Sequence, residues 1–116
     1  MSIVSSYKKE FNLEKGRTES SRIRAKHYNY IPVIVEGSKH IKSLDKRKYL
    51  VPNNFTVGQF IYVIRKRLEI SPEKAIFIFV GNKIPNVSDQ ICNLYENDKD
   101  EDGFLYMKYT FENTFG

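Results

Sequence analysis

The hydrophobic positions of this chain change their spacing along its length, and one stretch carries an unambiguous helical period. Val57, Phe60, Ile61, Ile64 and Leu68 recur at i, i+3, i+4, i+7 and i+11, which places them on one apolar stripe of a helix. Thr56 stands at the N-cap and Gln59 three residues on, the pattern of a capping box in which each side chain satisfies a main-chain N–H of the other. Arg65, Lys66 and Arg67 close the stretch, where positive charge complements the helix C-terminus.

Other segments are extended in character. Tyr30-Ile31-Pro32-Val33-Ile34-Val35-Glu36 is rich in β-branched residues and predicts a strand, with Pro32 expected at a strand start or on an edge. Gly37-Ser38-Lys39-His40 predicts a turn or loop, and Lys48-Tyr49-Leu50-Val51 a second short strand stopped by Pro52-Asn53-Asn54. The continuous apolar run Ala75-Ile76-Phe77-Ile78-Phe79-Val80 predicts a buried central strand. Ser88 is placed to cap a short helix carrying Ile91, Leu94 and Tyr95, and an acidic loop then leads into the last strand, Gly103-Phe104-Leu105-Tyr106-Met107-Lys108-Tyr109.

The opening stretch is polar and charged, with large apolar residues only at Tyr7, Phe11, Leu13 and Ile23 between Ser5 and Lys26. It predicts one or two short amphipathic helices broken near Gly16, with Thr18 capping the second. Such helices carry too little apolar face to stand alone and must dock on a larger body. The element order, a helical prefix then β, β, α, β, short α, β, resembles the ubiquitin-like β-grasp fold with an added N-terminal arm.

Composition narrows the class. At 116 residues with 41% hydrophobic positions, eight Phe and eight Tyr, the chain has material for a single modest core and is not globally disordered. No apolar run approaches the ~20 residues that cross a bilayer, and the N-terminus carries no apolar signal-peptide core. The lone Cys92 excludes an internal disulfide and fits a reducing, cytoplasmic setting. Charge is uneven: residues 1–48 hold twelve Lys/Arg against five Asp/Glu, while residues 49–116 hold seven against nine, within a net charge of +5. A basic first half points to acidic partners: nucleic acid, anionic lipid or acidic peptides.

Enzyme chemistry finds little support. Cys92 has no recognisable base beside it, and His27 and His40 sit in no motif. One Cys and two His match no zinc pattern, and no glycine-rich phosphate loop is present. Asp98, Asp100 and Asp102 alternate like calcium ligands but lack the loop-closing glutamate, so they predict a solvated acidic loop. The basic cluster Lys46-Arg47-Lys48 before the strand at Tyr49 has two readings. Lysines protect an edge strand from aggregation. The same strand, if open, can accept an extended peptide whose acidic residues meet Lys46 and Lys48. The aromatic strand Gly103–Tyr109 loosely echoes an RNA-binding strand, although Asp102 and Leu105 stand where that pattern has a basic and a small residue. Finally, Gly116 has no Cβ and a terminal carboxylate, which suits passage through a narrow channel to a nucleophile.

Several blocks together resemble the autophagy ubiquitin-like modifiers of the GABARAP type. They are Ile31-Pro32-Val33-Ile34-Val35-Glu36, Leu44-Asp45-Lys46-Arg47-Lys48-Tyr49-Leu50-Val51-Pro52, Thr56-Val57-Gly58-Gln59-Phe60, Ile64-Arg65-Lys66-Arg67, Asp102-Gly103-Phe104-Leu105-Tyr106 and Glu112-Asn113-Thr114-Phe115-Gly116. The resemblance implies an α+β fold, a four-stranded mixed sheet packed on a helix, with two additional N-terminal helices. It implies one ubiquitin-like domain: an arm over residues 1–26, a β-grasp core over 27–111 and a flexible tail over 112–116. It also implies two peptide pockets beside an open edge strand. Glu19, Ile23, Pro32, Lys48, Leu50 and Phe104 would hold an aromatic side chain. Tyr49, Val51, Pro52, Phe55, Phe60, Val63, Ile64 and Arg67 would hold an aliphatic one, and Phe55, larger than the aliphatic residue common there, implies a shallower second pocket. Lys46, Arg47 and Lys48 would steer acidic partners.

The same resemblance implies a non-enzymatic protein without cofactor. Its Gly116 would be activated with ATP by a ubiquitin-activating-type enzyme, carried as a thioester to a conjugating enzyme and joined to phosphatidylethanolamine. A cysteine protease would serve processing or delipidation. The partners implied are these enzymes, cargo receptors with aromatic-x-x-aliphatic motifs, and phosphatidylethanolamine membranes, not nucleic acid, with a location in the cytoplasm and on autophagosomal or related vesicle membranes. The alternatives are an unconjugated β-grasp adaptor with the same groove and, more remotely, a small basic RNA-binding domain.

Overall fold

The computed structural model of the chain describes residues 12–38, 44 and 46–111. The start of the arm with Tyr7 and Phe11, the loop with His40, and the tail with Gly116 lie outside the described residues. The elements are α1 (Leu13–Lys26), β1 (Tyr30–Gly37), β2 (Lys48–Pro52), α2 (Val57–Leu68), β3 (Phe77–Phe79), α3 (Ile91–Asp98) and β4 (Leu105–Thr110).

The strands form one mixed sheet in the order β2-β1-β4-β3. β1 runs antiparallel to β2, with Val33 opposite Tyr49, and parallel to β4, with Val33 also opposite Leu105. β3 pairs antiparallel with β4, Ile78 opposite Tyr109. The first and last strands thus lie side by side at the centre, the α+β β-grasp arrangement expected from the element order. On one sheet face, Ile31, Val33, Val35, Tyr49, Val51, Leu105, Met107 and Tyr109 join Val57, Phe60, Ile64 and Leu68 of α2 in the main core. On the other, Ile34 and Phe104 form a smaller cluster with Ile23 of α1 and Tyr106. Coverage from both sides explains why Ile31 to Val35 are all buried, where a one-sided strand would alternate.

The capping box at α2 is present: Gln59 N–H donates to Thr56 Oγ1 at 3.2 Å, and Thr56 N–H to Gln59 Oε1 at 2.8 Å. Other expectations need correction. The run from Ala75 to Val80 is not a central strand; only three residues pair, at the sheet edge, with Phe77 and Phe79 half-buried. Apolar continuity cannot distinguish a two-faced strand from an edge whose flanks pack on the core, and the central position belongs to β4. Pro32 lies within central β1 rather than on an edge. Main-chain bonds from Asn53 N–H to Asn29 O and from Val35 N–H to Arg47 O show that odd-numbered residues of β1 face β2. The nitrogen of Pro32 therefore faces the β4 side, where pairing starts only at Val33, so its missing N–H breaks no ladder bond.

The arm does not break at Gly16. α1 is continuous, capped by Asn12, whose side chain accepts from Lys15 N–H at 2.8 Å, while Thr18 lies inside the helix and donates to Glu14 O. Gly16 is there for contact: a Cβ on it would lie 2.9 Å from Asp102 Cβ. Ser88 does not cap α3. Gln90 occupies that position without a side-chain bond, and Ile91 N–H donates instead to Phe55 O at 2.9 Å. The acidic loop is solvated only in part. Asp102 is buried, with its carboxylate accepting from Phe104 N–H at 2.9 Å and from the Tyr106 hydroxyl.

Candidate functional site at the open edge of the sheet

β2 ends the sheet, and no strand lies beyond it among the described residues. Tyr49 and Val51 stand in register with Val33 and Ile31 and share the parity that faces β1. The main chain of Lys48 and Leu50 therefore points outward, as a template on which an extended peptide can add main-chain hydrogen bonds. The side chains alternate with it. Tyr49 and Val51 turn into the core, and Lys48 and Leu50 turn to the face covered by α1, where Leu50 keeps 39% of its surface exposed.

Between α1 and β2 runs a half-open groove of about 400 Å³ lined by Glu19, Arg22, Ile23, Lys26, His27, Lys46, Lys48 and Leu50. Glu19, Arg22, Ile23 and Lys26 are spaced i, i+3, i+4 and i+7, so a continuous α1 presents them on one face. Lys48 Nζ is hydrogen-bonded to Glu19 Oε1, and Arg22 approaches the same oxygen at 4.0 Å, so the groove's carboxylate is already balanced by cations. Of the residues expected at this pocket, Glu19, Ile23, Lys48 and Leu50 line it. Pro32 and Phe104 are fully buried and do not. Arg22, Lys26 and His27 were not foreseen; the first two share the helical face of Glu19 and Ile23, but nothing local shows that this face lines a groove against β2.

On the opposite face, the second expected set comes together as a packed surface. The Tyr49 and Phe60 rings meet edge to face at 5.7 Å between centroids. Val51 and Ile64 are buried in the same cluster, Pro52, Phe55 and Val63 are half-buried, and Arg67 is exposed. Arg67 and Lys46 approach the Tyr49 ring at 5.8 and 5.1 Å, a cation–π arrangement that joins α2 to the approach to β2. The basic cluster divides. Lys46 and Lys48 line the groove, whereas Arg47 extends its guanidinium toward Glu36 at 4.0 Å.

Other candidate chemistry is absorbed by packing. Cys92 is half-buried against the main core, its Sγ 3.4 Å from Gln90 Oε1. Among the described residues no group of His, Cys, Asp and Glu is arranged to hold a metal ion, and no helix is long and apolar enough to cross a membrane. The aromatics of the β4 segment are no stacking platform: Phe104 and Tyr109 are fully buried, and Tyr106 packs beside Phe104. Burial pushes the Tyr95 and Tyr109 phenols above their ordinary pKa; nearby Arg24 opposes this at Tyr95, and a main-chain bond with Leu44 opposes it at Tyr109.

Known proteins are similar to this chain in sequence and in geometry. The family model described as "Autophagy protein Atg8 ubiquitin like" matches residues 15–116. Autophagy-related protein 8B of Oryza sativa subsp. indica is 55% identical over 114 residues, covering 97% of this chain and 96% of the rice protein. Autophagy-related protein 8 of Schizosaccharomyces pombe is 54% identical over 114 residues, covering 97% of this chain and 94% of its own. A crystal structure of Trypanosoma brucei ATG8 superposes with a TM-score of 0.92 at 40% identity, covering 98% of this chain and 100% of that one. With a ubiquitin-like sheet, a matched family model and relatives aligned over nearly its whole length, this chain belongs to the Atg8 family of autophagy ubiquitin-like proteins.

Proposed function

We propose that this protein is a modifier joined through Gly116 to phosphatidylethanolamine on autophagic membranes, where it recruits receptors that carry aromatic-x-x-aliphatic peptides. The observation that carries the reading is the outward main chain of Lys48 and Leu50 between a groove on one face and the Tyr49–Phe60 surface on the other. An added strand places successive side chains on opposite faces, so one edge can seat an aromatic residue against Ile23 and Leu50 and an aliphatic one on the α2 side. Exposed charge pairs contribute only about 0–1 kcal/mol each. The apolar contacts hold the peptide, and Lys46 and Lys48 orient it.

The protein is the substrate of its own attachment. An activating enzyme adenylates the Gly116 carboxylate with ATP, a cysteine of that enzyme displaces AMP to form a thioester, and the glycyl group passes by way of a conjugating enzyme to the lipid amine. A cysteine protease serves processing or release. Support for this half comes from family membership, the matched family model running through residue 116. Reconstitution with the family's activating and conjugating enzymes, ATP and phosphatidylethanolamine liposomes tests it by intact mass. A gain of one lipid, absent without Gly116, is expected. Unmodified mass from a folded protein that still binds motif peptides would leave an unconjugated adaptor.

A further inference from the structure

The main chain of β4 is held almost to its end. Tyr109 pairs with Gly37 and accepts from Ser38 N–H at 2.8 Å, and Thr110 pairs with Phe77. One residue further on, the ladder stops. Among the described residues no main-chain hydrogen bond reaches Phe111. Its side chain is held instead. The ring is half-buried against the main core, tilted on the buried Tyr109 ring at 6.1 Å between centroids, with Lys74 Nζ 4.8 Å from its own centroid. A cation over an aromatic face is attracted by the ring quadrupole.

Lys74 is itself placed by a tight turn. Its N–H donates to Ser71 O at 3.0 Å, and the Ser71 hydroxyl donates to the Glu73 carboxylate. This turn precedes β3, whose first residue, Phe77, lies opposite Thr110. The contact of Lys74 with Phe111 therefore ties the segment entering β3 to the segment leaving β4. It is the last fixed point of the described chain before Glu112-Asn113-Thr114-Phe115-Gly116.

We propose that Phe111 is a positioning residue for attachment: held by Lys74 and Tyr109, it fixes the point from which Gly116 is presented to the activating enzyme. The inference rests on the reading of Gly116 as the attachment point. Five steps of chain separate the two residues, so Gly116 lies at most about 18 Å from Phe111 even when fully extended. An enzyme that grips the sheet must find the carboxylate within that radius. Freeing residue 111 returns backbone freedom that binding then has to remove, a loss of apparent affinity of about three- to tenfold. The reacting carboxylate itself is unchanged, so turnover at saturation is not affected.

In the activating step the Gly116 carboxylate attacks the α-phosphorus of ATP and pyrophosphate leaves. ATP–pyrophosphate exchange by the family's activating enzyme is measured against the concentration of the full chain, unaltered and as Phe111→Ala, Phe111→Tyr, Lys74→Ala and the Phe111→Ala/Lys74→Ala pair. Circular dichroism checks folding, and nitrogen-15 relaxation reads the order of the backbone at residue 111. Phe111→Ala should raise KM about three- to tenfold with kcat unchanged, and lower the order parameter at residue 111 from about 0.85 toward about 0.6. Phe111→Tyr should keep both values. Lys74→Ala should raise KM about twofold alone and add nothing to Phe111→Ala, because the two side chains act as one contact. An unchanged KM, a fall in kcat at unchanged KM, or an additive effect of Lys74→Ala overturns the inference. If Phe111→Ala fails to fold, Lys74→Ala decides: a higher KM with a less ordered residue 111 supports the inference, and neither change overturns it. If all variants exchange alike, the inference fails and the modifier reading stands. If the folded, unaltered chain supports no exchange, both fail.

Discussion

The hydroxyl of Ser20 donates to the main-chain carbonyl of Asp102 at 2.6 Å, a buried bond between residues 82 positions apart. Around it, Arg17 Nε donates to Glu101 O, Tyr95 donates to Gly103 O, and Gly16 lies against Asp102. This clasp holds α1 on the sheet face where the groove forms. Ser20→Ala leaves a buried carbonyl short of a donor and should cost about 1–2 kcal/mol, lowering Tm by roughly 5 °C. A Tm unchanged in differential scanning calorimetry would show that the clasp is incidental.

The two glycines of the clasp make an expectation with a definite sign. Gly to Ala inside an exposed helix ordinarily gains about 1 kcal/mol. At Gly16 the new Cβ would meet Asp102 Cβ at 2.9 Å, so Gly16→Ala should destabilise instead. Gly103 has φ +90°, and a Cβ there would sit 2.1 Å from Ser20 Oγ; Gly103→Ala should be the more damaging of the two. Urea midpoints ordered otherwise would contradict this packing.

These residues also mark where sequence reading reaches its limit. The capping box of Thr56 and Gln59 and the stripe from Val57 to Leu68 were legible because both are local patterns. Gly16 was misread because its partner is Asp102, far along the chain, and the Glu19–Arg22–Ile23–Lys26 wall was missed because its other side, β2, is equally remote in sequence. Asp102 looked like part of a solvated loop because composition cannot show that one of several aspartates turns inward to Tyr106 and Phe104. The apolar run at β3 outweighed β4 in hydrophobicity, yet sheet position follows from which strands find each other, and here β1 pairs with β4. The Leu50 and Tyr49 surfaces were legible mainly through the family resemblance; periodicity showed only a short strand.

Leu50 is the exposed apolar side chain of the groove, opposite Pro32 across the β1–β2 ladder. Leu50→Ala should weaken an aromatic-x-x-aliphatic peptide about tenfold, in keeping with the loss of one well-placed apolar contact, with little loss of stability because the side chain is not in the core. Isothermal titration calorimetry showing equal affinity would remove Leu50 from the site.

The raised phenol pKa values of Tyr95 and Tyr109 carry a pH dependence. Each prefers its neutral form in the folded state, so the stability it contributes is full below the ordinary tyrosine value of about 10 and is lost as pH rises through and beyond it. Urea midpoints should be flat from about pH 7 to 9 and then fall. Tyr109→Phe should make the fall shallower. An identical alkaline slope in the variant would mean that other groups govern it.

With Gly116 as the proposed attachment point, Gly116→Ala should block lipid attachment without changing the fold, since an added Cβ crowds and restricts the residue whose carboxylate must react. Undiminished membrane attachment in cells would contradict the role of the tail.

The most direct measurement is amide NMR of the isotope-labelled protein titrated with a Trp-x-x-Leu peptide. The account requires the largest shifts at Lys48 to Val51, with Ile23 and His27 on one side and Val63 and Arg67 on the other. Shifts centred on β3 and α3 with β2 undisturbed, or none at saturating peptide, would contradict it.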